Sequence, residues 1–172
     1  QIDESNKAPR RTLEMISELL RYQLYGGNQK VSILQEIDYL KTYIALRKLR
    51  MSERLRLRVE FPPELNELNI YPLLFLPLVE NAFKYVGGDY QLDIIMKWEN
   101  NRISLFIRNS IPELSAEDEA LRKSVDERQR KGIGLVNLRR RLSLLYPNKH
   151  RLETRKEETE FVAELMIEIE DI

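Results

Sequence analysis

Apolar residues recur at helical spacing near the start of the chain. The first such set lies three or four residues apart: Leu13, Ile16, Leu20 and Leu24. This spacing predicts a helix over residues 12–25, and Gly26-Gly27 should end it. A second helix is predicted to begin at Ser32, because Gln35 three residues later completes a capping-box pattern. It should run to about residue 51.

Further along, helix-like and strand-like patterns follow one another. Apolar and polar residues alternate as in half-buried strands over residues 55–61, 92–98, 103–107 and 161–169, with a partner strand for the last at 151–156. The strands over residues 92–98 and 103–107 should form a hairpin that turns around Asn100-Asn101. Helices are predicted over residues 71–86 and from Leu135 to Leu145, and Pro77 should kink the first helix or mark a second start. This order predicts an α+β fold, in which helices pack on one face of a mixed, mostly antiparallel sheet.

Composition limits the possible functions. The 172 residues suffice for one domain and a short appendage, and the 28 basic and 28 acidic side chains balance, so no nucleic-acid partner is predicted. Zero cysteines exclude disulfides and thiolate metal sites. No apolar run reaches the ~18–20 residues of a membrane-spanning helix, and no signal peptide is visible. Because no initiating Met is present, we expect a piece of a longer protein.

The predicted helix over residues 71–86 carries the most informative polar side chains. At about 100° per residue, Glu80, Asn81 and Lys84 fall on one face, and apolar residues occupy the opposite face. A carboxylate, a carboxamide and an ammonium placed together can serve as a base, a metal ligand and a phosphate-binding cation. The same three side chains could instead form the solvated face of an amphipathic helix.

A second segment places two glycines where the last predicted helix begins. It reads Lys131-Gly132-Ile133-Gly134-Leu135-Val136-Asn137. The free backbone N–H groups and the positive dipole end of a helix start suit phosphate. Two glycines could also form only a helix-entry turn. Taken together, the two segments predict a site for a magnesium–nucleotide complex.

Both segments resemble signatures of the ATPase superfamily that gyrase, the heat-shock chaperone ATPases, sensor histidine kinases and the mismatch-repair ATPases share. Glu80-Asn81-x-x-Lys84 resembles the N-box, and Gly132-Ile133-Gly134-Leu135-x-Asn137 resembles the second glycine box. The flanking sequence is most similar to LytS-like sensor histidine kinases. The resemblance implies a two-layer α/β sandwich of the histidine-kinase ATPase type over residues 29–172. It also implies an N-terminal helical appendage over residues 1–28, the end of a dimerisation and phosphoacceptor hairpin.

The resemblance also implies roles for individual residues. Asn81 would hold Mg²⁺, Lys84 would contact phosphate, and Glu80 would act catalytically by polarising the attacking group. Further positions are expected to contact ATP: Tyr85, Asn109, Lys131, Gly132, Ile133, Gly134, Leu135 and Asn137. The acceptor histidine of such kinases lies upstream of every residue present here. His150 matches no acceptor motif and is expected to be an ordinary surface histidine.

The activity implied by this resemblance is phosphoryl transfer. The γ-phosphoryl group of Mg·ATP would pass to a histidine outside this chain, for relay to a response regulator. The full-length protein is expected to be a homodimer. This chain would be the cytoplasmic domain of a bacterial inner-membrane sensor, attached to the membrane through segments missing from this sequence.

One departure from the family pattern leaves two rivals open. The first glycine box of the family, Asp-x-Gly-x-Gly, is replaced here by Asn109-Ser110-Ile111-Pro112. Asn109 can still accept a hydrogen bond from the adenine amino group, but it lacks the charge of a carboxylate. A degenerate, non-catalytic nucleotide-binding module is therefore an alternative. A serine kinase or ATPase of the same superfamily is another.

Overall fold

The computed structural model describes residues 7–25, 29–63, 65, 68–113 and 133–170. Within these ranges the elements follow in the order α1 (Lys7–Tyr25), β1 (Val31–Ser32), α2 (Ile33–Leu49), β2 (Arg56–Glu60), β3 (Asn69–Ile70), α3 (Leu76–Tyr85), β4 (Gln91–Glu99), β5 (Arg102–Ser110), α4 (Ile133–Leu145), β6 (His150–Lys156) and β7 (Glu160–Glu168). The chain forms two compact units. The helical unit comprises residues 1–53 and 65–73, and the sheet unit comprises residues 54–64 and 74–172.

In the helical unit, α2 begins where the capping box predicts. The Ser32 hydroxyl accepts a hydrogen bond from the Leu34 N–H at 3.2 Å, and the Gln35 side-chain oxygen accepts one from the Ser32 N–H at 3.1 Å. The helix buries one apolar stripe, made of Ile33, Ile37, Leu40 and Ile44. Next to its start, β1 and β3 pair as a short antiparallel ladder. Within the same unit, α2 also contacts α1.

The sheet unit is built on five strands in the order β2-β4-β5-β7-β6. Only the β2–β4 pair of this sheet is parallel, and the other three pairs are antiparallel. Alternate residues of the central strands are buried, among them Leu92, Ile94, Leu105, Ile107 and Leu165. The helix α3 contacts β4 and β5, and α4 contacts β6 and α3. The predicted α+β class with a mixed, mostly antiparallel sheet is confirmed.

The hairpin that joins β4 to β5 turns at the predicted residues. Asn100 and Asn101 both adopt the left-handed backbone conformation, with φ angles of 51° and 59°. Two successive residues with positive φ form the tight turn that matches the right-handed twist of the flanking strands, and Asn tolerates this conformation well.

The predicted start of the helix over residues 71–86 is wrong. The helix α3 begins at Leu76, and Pro77 lies in its first turn. Leu73 has a φ of 61°, which no right-handed helix accommodates. Pro77 has no N–H to donate and a fixed φ, so it suits the first turn of a helix but not its interior. It therefore marks the start of the helix, whereas the sequence predicted a kink or a second start within a helix that already began at residue 71.

The other element boundaries shift by a few residues. The helix α1 begins at Lys7, before the predicted residue 12, and α2 ends at Leu49, short of residue 51. The short strands β1 and β3 carry too few residues for an alternation signal and were not predicted. The functional division at residue 28 stays a prediction, because the compact units describe packing and not function. No described helix is both long and apolar enough to cross a bilayer.

Candidate nucleotide site

The helix α3 separates apolar and polar residues onto opposite faces, as the sequence predicts. Leu78, Val79 and Ala82 are buried, whereas Glu80 and Lys84 are exposed and Asn81 is partly exposed. The Lys84 ammonium lies 5.2 Å from the centroid of the Tyr85 ring, within the range of a cation–π contact. The three predicted polar side chains therefore lie on one accessible helix face.

Ser110 joins the end of β5 to the segment that follows α3. Its hydroxyl donates to the Gly87 carbonyl oxygen at 2.7 Å and accepts from the Gln91 N–H at 2.9 Å. The Gly87 N–H in turn donates to the Ser110 carbonyl oxygen at 2.9 Å. These bonds hold the end of β5, which carries Asn109, beside the C-terminal end of α3. Nothing in the sequence around Ser110 indicates this role, since only its contacts reveal it.

The two glycines after α3 allow this close approach. A Cβ atom on Gly87 would lie 2.9 Å from the Pro112 ring carbons, and one on Gly88 would lie 2.9 Å from the Ile111 carbonyl oxygen. Gly88 also has a φ of 60°, which favours glycine. The segment Asn109-Ser110-Ile111-Pro112, which stands where relatives carry a first glycine box, thus packs against glycines supplied by another part of the chain.

Asn109 is fully buried and only half satisfied. Its side-chain nitrogen donates to the Ser110 carbonyl oxygen at 3.4 Å, and its Oδ1 has no hydrogen-bond partner among the described residues. A buried acceptor without a donor costs about 1–3 kcal/mol, so such atoms are rare in folded proteins. The amide is oriented so that an unused acceptor remains. An exocyclic amine, such as that of adenine, is a donor of the required kind.

The second glycine segment lies at the start of α4. Ile133 is the first residue of this helix, Gly134 and Asn137 are exposed, and Leu135 is partly buried. A Cβ atom on Gly134 would meet no atom of the described residues within 4 Å, so the space beside this backbone is open. Lys131 and Gly132 lie outside the described residues. The described part of the segment begins a helix, as the predicted phosphate site requires.

Two glycine substitutions should distinguish a glycine that the stability of the fold requires from a glycine that ATP binding requires. Gly88→Ala is expected to destabilise the protein by about 1–2 kcal/mol, because it forces a side chain into left-handed backbone against the Ile111 carbonyl. Gly134→Ala should leave stability equal or higher by up to about 1 kcal/mol, since Ala favours the helix. If phosphate approaches this backbone, Gly134→Ala should nevertheless weaken ATP binding severalfold. Urea unfolding and nucleotide titration measure the two effects, and an unchanged ATP affinity in Gly134→Ala would contradict the phosphate assignment.

A cavity of about 410 Å³ lies elsewhere in the sheet unit. It is lined by residues of α4, β6 and β7: Arg139, Leu152, Glu153, Thr154, Arg155, Val162 and Glu164. None of the described residues predicted to bind nucleotide lines it. The open polar face of α3 and the unpaired acceptor of Asn109 carry specific chemistry, so they and not this cavity define the candidate site.

The imidazole ring of His150 is hydrogen-bonded to the backbone. Its Nδ1 lies 2.7 Å from the Tyr146 carbonyl oxygen, so Nδ1 carries the proton and donates to that oxygen. The ring is partly buried at the start of β6. This contact supports the interpretation of His150 as an ordinary histidine at the end of the α4–β6 turn.

The chain is similar in sequence to known proteins. A family model described as histidine kinase matches residues 1–55. The chain is similar to the sensor protein kinase HptS of Staphylococcus aureus, with 27% identity over 153 residues that cover 86% of this chain. That alignment covers 30% of the relative, so the chain spans less than a third of the length of this curated protein.

Solved structures share the fold. The Acinetobacter baumannii histidine kinase AdeS superposes with a TM-score of 0.52 and 16% identity, covering 94% of this chain and 77% of that chain. Full-length ShkA in complex with AMPPNP superposes with a TM-score of 0.54 and 14% identity, covering 96% of this chain and 37% of that chain. At these identities the similarity establishes the architecture.

Proposed function

We propose that this chain, which is similar to sensor histidine kinases, is the ATP-binding catalytic part of such a kinase. The whole protein would transfer the γ-phosphoryl group of Mg·ATP to a histidine outside this chain. The observation that carries the proposal is the buried, unpaired Oδ1 of Asn109 at the end of β5, held beside α3 by Ser110. The structure of full-length ShkA, which shares this fold, was solved in complex with AMPPNP. This likeness supports a nucleotide as the ligand of the present chain.

The side chains present fit a magnesium–nucleotide complex. Asn81 offers a carboxamide oxygen to a hard cation, and the exposed Lys84 ammonium can neutralise phosphate charge. Asn109 would offer its acceptor to the base, and the N–H groups at the start of α4 would bind phosphate. Bound Mg·ATP would supply the transferable phosphoryl group and the metal charge that stabilises it. Glu80 would orient and deprotonate the acceptor group, and the protein would otherwise contribute position and charge.

The wider setting is part of the same proposal. The relative HptS is named a sensor protein kinase, so we infer a response regulator as the downstream partner and a homodimer as the working state. A membrane sensor would then regulate the reaction from segments outside this sequence, with this chain on the cytoplasmic side.

Calorimetric titration of the chain with ATP and GTP, each with and without Mg²⁺, tests the proposal. We expect ATP to bind in a magnesium-dependent manner and GTP to bind at least about tenfold more weakly, which corresponds to about 1.4 kcal/mol. Equal, magnesium-independent binding of the two nucleotides would favour the degenerate, non-catalytic module. Transfer of phosphate to serine, or ATP hydrolysis without any histidine acceptor, would favour the serine kinase or ATPase.

A labelling experiment tests where the acceptor lies. Incubated with γ-labelled ATP, this chain is expected to show no acid-labile phosphohistidine, because His150 is its one histidine and its Nδ1 is bonded to a backbone carbonyl. His150→Gln serves as the control for background label. Acid-labile label that is present in the parent and lost in His150→Gln would overturn the assignment of the acceptor to a segment outside this chain.

A further inference from the structure

Ser110 and Gly87 are joined by two hydrogen bonds that run in opposite directions. The Ser110 hydroxyl donates to the Gly87 carbonyl oxygen at 2.7 Å, and the Gly87 N–H donates to the Ser110 carbonyl oxygen at 2.9 Å. The same hydroxyl accepts from the Gln91 N–H at 2.9 Å. One half-buried side chain therefore ties the end of β5 to the segment that joins α3 to β4 and to the first residue of β4, all within the sheet unit.

The Ser110 carbonyl oxygen also fixes the orientation of the Asn109 amide. It accepts from Asn109 Nδ2 at 3.4 Å, a long contact that pairs a donor with an acceptor. The reversed amide would turn Oδ1, an acceptor, toward the same carbonyl oxygen, and bulk water does not reach this fully buried side chain to separate the two. The amide therefore leaves its oxygen, and not its nitrogen, without a partner among the described residues.

The orientation of this amide determines which purine base it can bind. Adenine carries an amine, a donor, on the ring carbon where guanine carries a carbonyl oxygen, an acceptor. An unpaired amide oxygen is complementary to the adenine amine and opposes the guanine carbonyl. The reversed amide would present its NH₂ group and so favour guanine. A contact that holds the Asn109 amide in one orientation is thus a source of base specificity.

The backbone of Asn109 is held separately, by neighbouring side chains on the opposite face of the sheet. Arg108 donates from Nε and Nη2 to Asp93 Oδ2 at 3.0 and 2.6 Å, and the Gln91 side chain donates to Asp93 Oδ1 at 2.9 Å. The Asp93 side chain is only 3% exposed. This ion pair joins β4 to β5 beside the position where Leu92 is the partner of Asn109. Among the described residues it makes no hydrogen bond to the Asn109 amide, so backbone position and amide orientation depend on different groups.

We propose that Ser110 is a positioning residue that determines base specificity: by bonding to Gly87, it holds the carbonyl oxygen that orients the Asn109 amide for adenine. The inference rests on the proposed function. Without the Ser110 hydroxyl, one bond of the Ser110–Gly87 pair is lost and the carbonyl oxygen is held less firmly. The amide then also adopts the reversed orientation, which disfavours ATP and not GTP. Because coupling free energies are reciprocal, bound ATP should in turn strengthen the bonds of Ser110.

Four variants test this role. Ser110→Ala removes only the hydroxyl, and Ser110→Thr keeps a hydroxyl on a slightly larger side chain. Ser104→Ala makes the same change on the same strand, away from Asn109. Asp93→Asn removes the charge that faces Arg108 and so weakens the pairing of β4 with β5 without removing a bond of Ser110. Circular dichroism well below the unfolding midpoint establishes that each variant is folded.

The readout is the ratio of ATP affinity to GTP affinity, measured by calorimetry with Mg²⁺. We expect Ser110→Ala to weaken ATP binding about three- to tenfold, the effect of one hydrogen bond, and to change GTP binding by less than about twofold. Ser110→Thr should keep the ratio of the parent. Ser104→Ala should change neither affinity, and Asp93→Asn should lower the unfolding midpoint and leave the ratio unchanged. In the Asn109→Leu background, Ser110→Ala should not change the ratio further, since the group through which it acts is absent.

A measurement on the parent chain needs no variant, and it carries the test if Ser110→Ala does not fold. The Gly87 and Gln91 amides both donate to Ser110, so their hydrogen exchange reports the bonds in question. At matched saturation, ATP should slow exchange at both amides about threefold more than GTP. A role confined to fold stability predicts equal slowing by the two nucleotides, and that result would overturn the proposal.

The other outcomes distinguish this proposal from the proposed function. If the parent prefers ATP and folded Ser110→Ala keeps the same preference, or loses affinity for both nucleotides equally, Ser110 acts on stability alone and the positioning role is wrong. If the parent binds neither nucleotide, the proposed function fails. If the parent binds both nucleotides equally, the assignment of Asn109 to the base fails. In either of these last two cases the role of Ser110 fails as well.

Discussion

Asn81→Ala should remove most of the magnesium-dependent part of the ATP affinity, a loss of about tenfold or more. The change would delete the oxygen ligand that we propose for Mg²⁺, a hard cation that takes few ligands from proteins. Because Asn81 is partly exposed and lies on the polar face of α3 with Glu80 and Lys84, the fold should be preserved. Titration with ATP in the presence and absence of Mg²⁺ separates the metal-dependent part of the affinity from the rest.

A matched control is Asn69→Ala. Asn69 is exposed on β3, so the same change of side chain there should alter neither nucleotide affinity nor magnesium dependence. Equal magnesium dependence in Asn81→Ala and the parent would sink the assignment of Asn81 as the metal ligand, whatever the absolute affinity.

Substitutions at Asn109 should alter both affinity and base preference. Asn109→Leu is expected to weaken ATP binding about tenfold and to abolish the preference over GTP, because it removes the acceptor that we propose for the adenine amine. Asn109→Asp should keep or raise ATP affinity, since a charged acceptor makes the stronger hydrogen bond. Without ligand, Asn109→Asp should be less stable, because a buried carboxylate beside the Ser110 carbonyl oxygen replaces an amide that donates to it.

Affinities for ATP and GTP across the three proteins, with unfolding midpoints in the presence and absence of ATP, decide this point. The same substitutions at exposed Asn69 control for changes of charge and size. Should all three proteins bind ATP equally weakly and without preference over GTP, the altered first glycine box does not contact the base. The non-catalytic interpretation would then be preferred.

Local signals made much of the fold predictable. The capping box at Ser32 and Gln35, the Asn100-Asn101 turn and the two faces of α3 each depend on residues close together in the sequence, and each is confirmed. The candidate site was predictable to the extent that its polar residues lie on one helix. Their roles in binding nucleotide stay predictions.

Features that depend on distant partners could not be predicted. Glu36 is buried although it lies in an amphipathic helix, where a charged residue normally faces solvent. Its burial depends on a hydrogen bond from the backbone N–H of Leu73, 37 positions later. Ser110 gains its role from Gly87, 23 positions earlier. The sequence predicts a start of α3 that is several residues too early, because the hydrophobicity of side chains does not report the left-handed conformation of Leu73. In each case the local structure depends on a long-range hydrogen bond or on a backbone angle. The periodicity of apolar residues reports neither of these.

The parallel pairing of β2 with β4 has a consequence for the order in which the sheet assembles. Arg56 pairs with Gln91, so closing this ladder constrains the whole intervening chain, including β3 and α3, into one loop. The β4–β5 and β6–β7 hairpins close across short turns, so they constrain few intervening residues. Loop-closure entropy therefore favours early formation of the two hairpins, before the β2–β4 and β5–β7 ladders, which join residues far apart in the sequence. Because β2 is an edge strand held by a five-pair ladder with β4 alone, we expect it to be the first strand of the sheet to detach under mild denaturant.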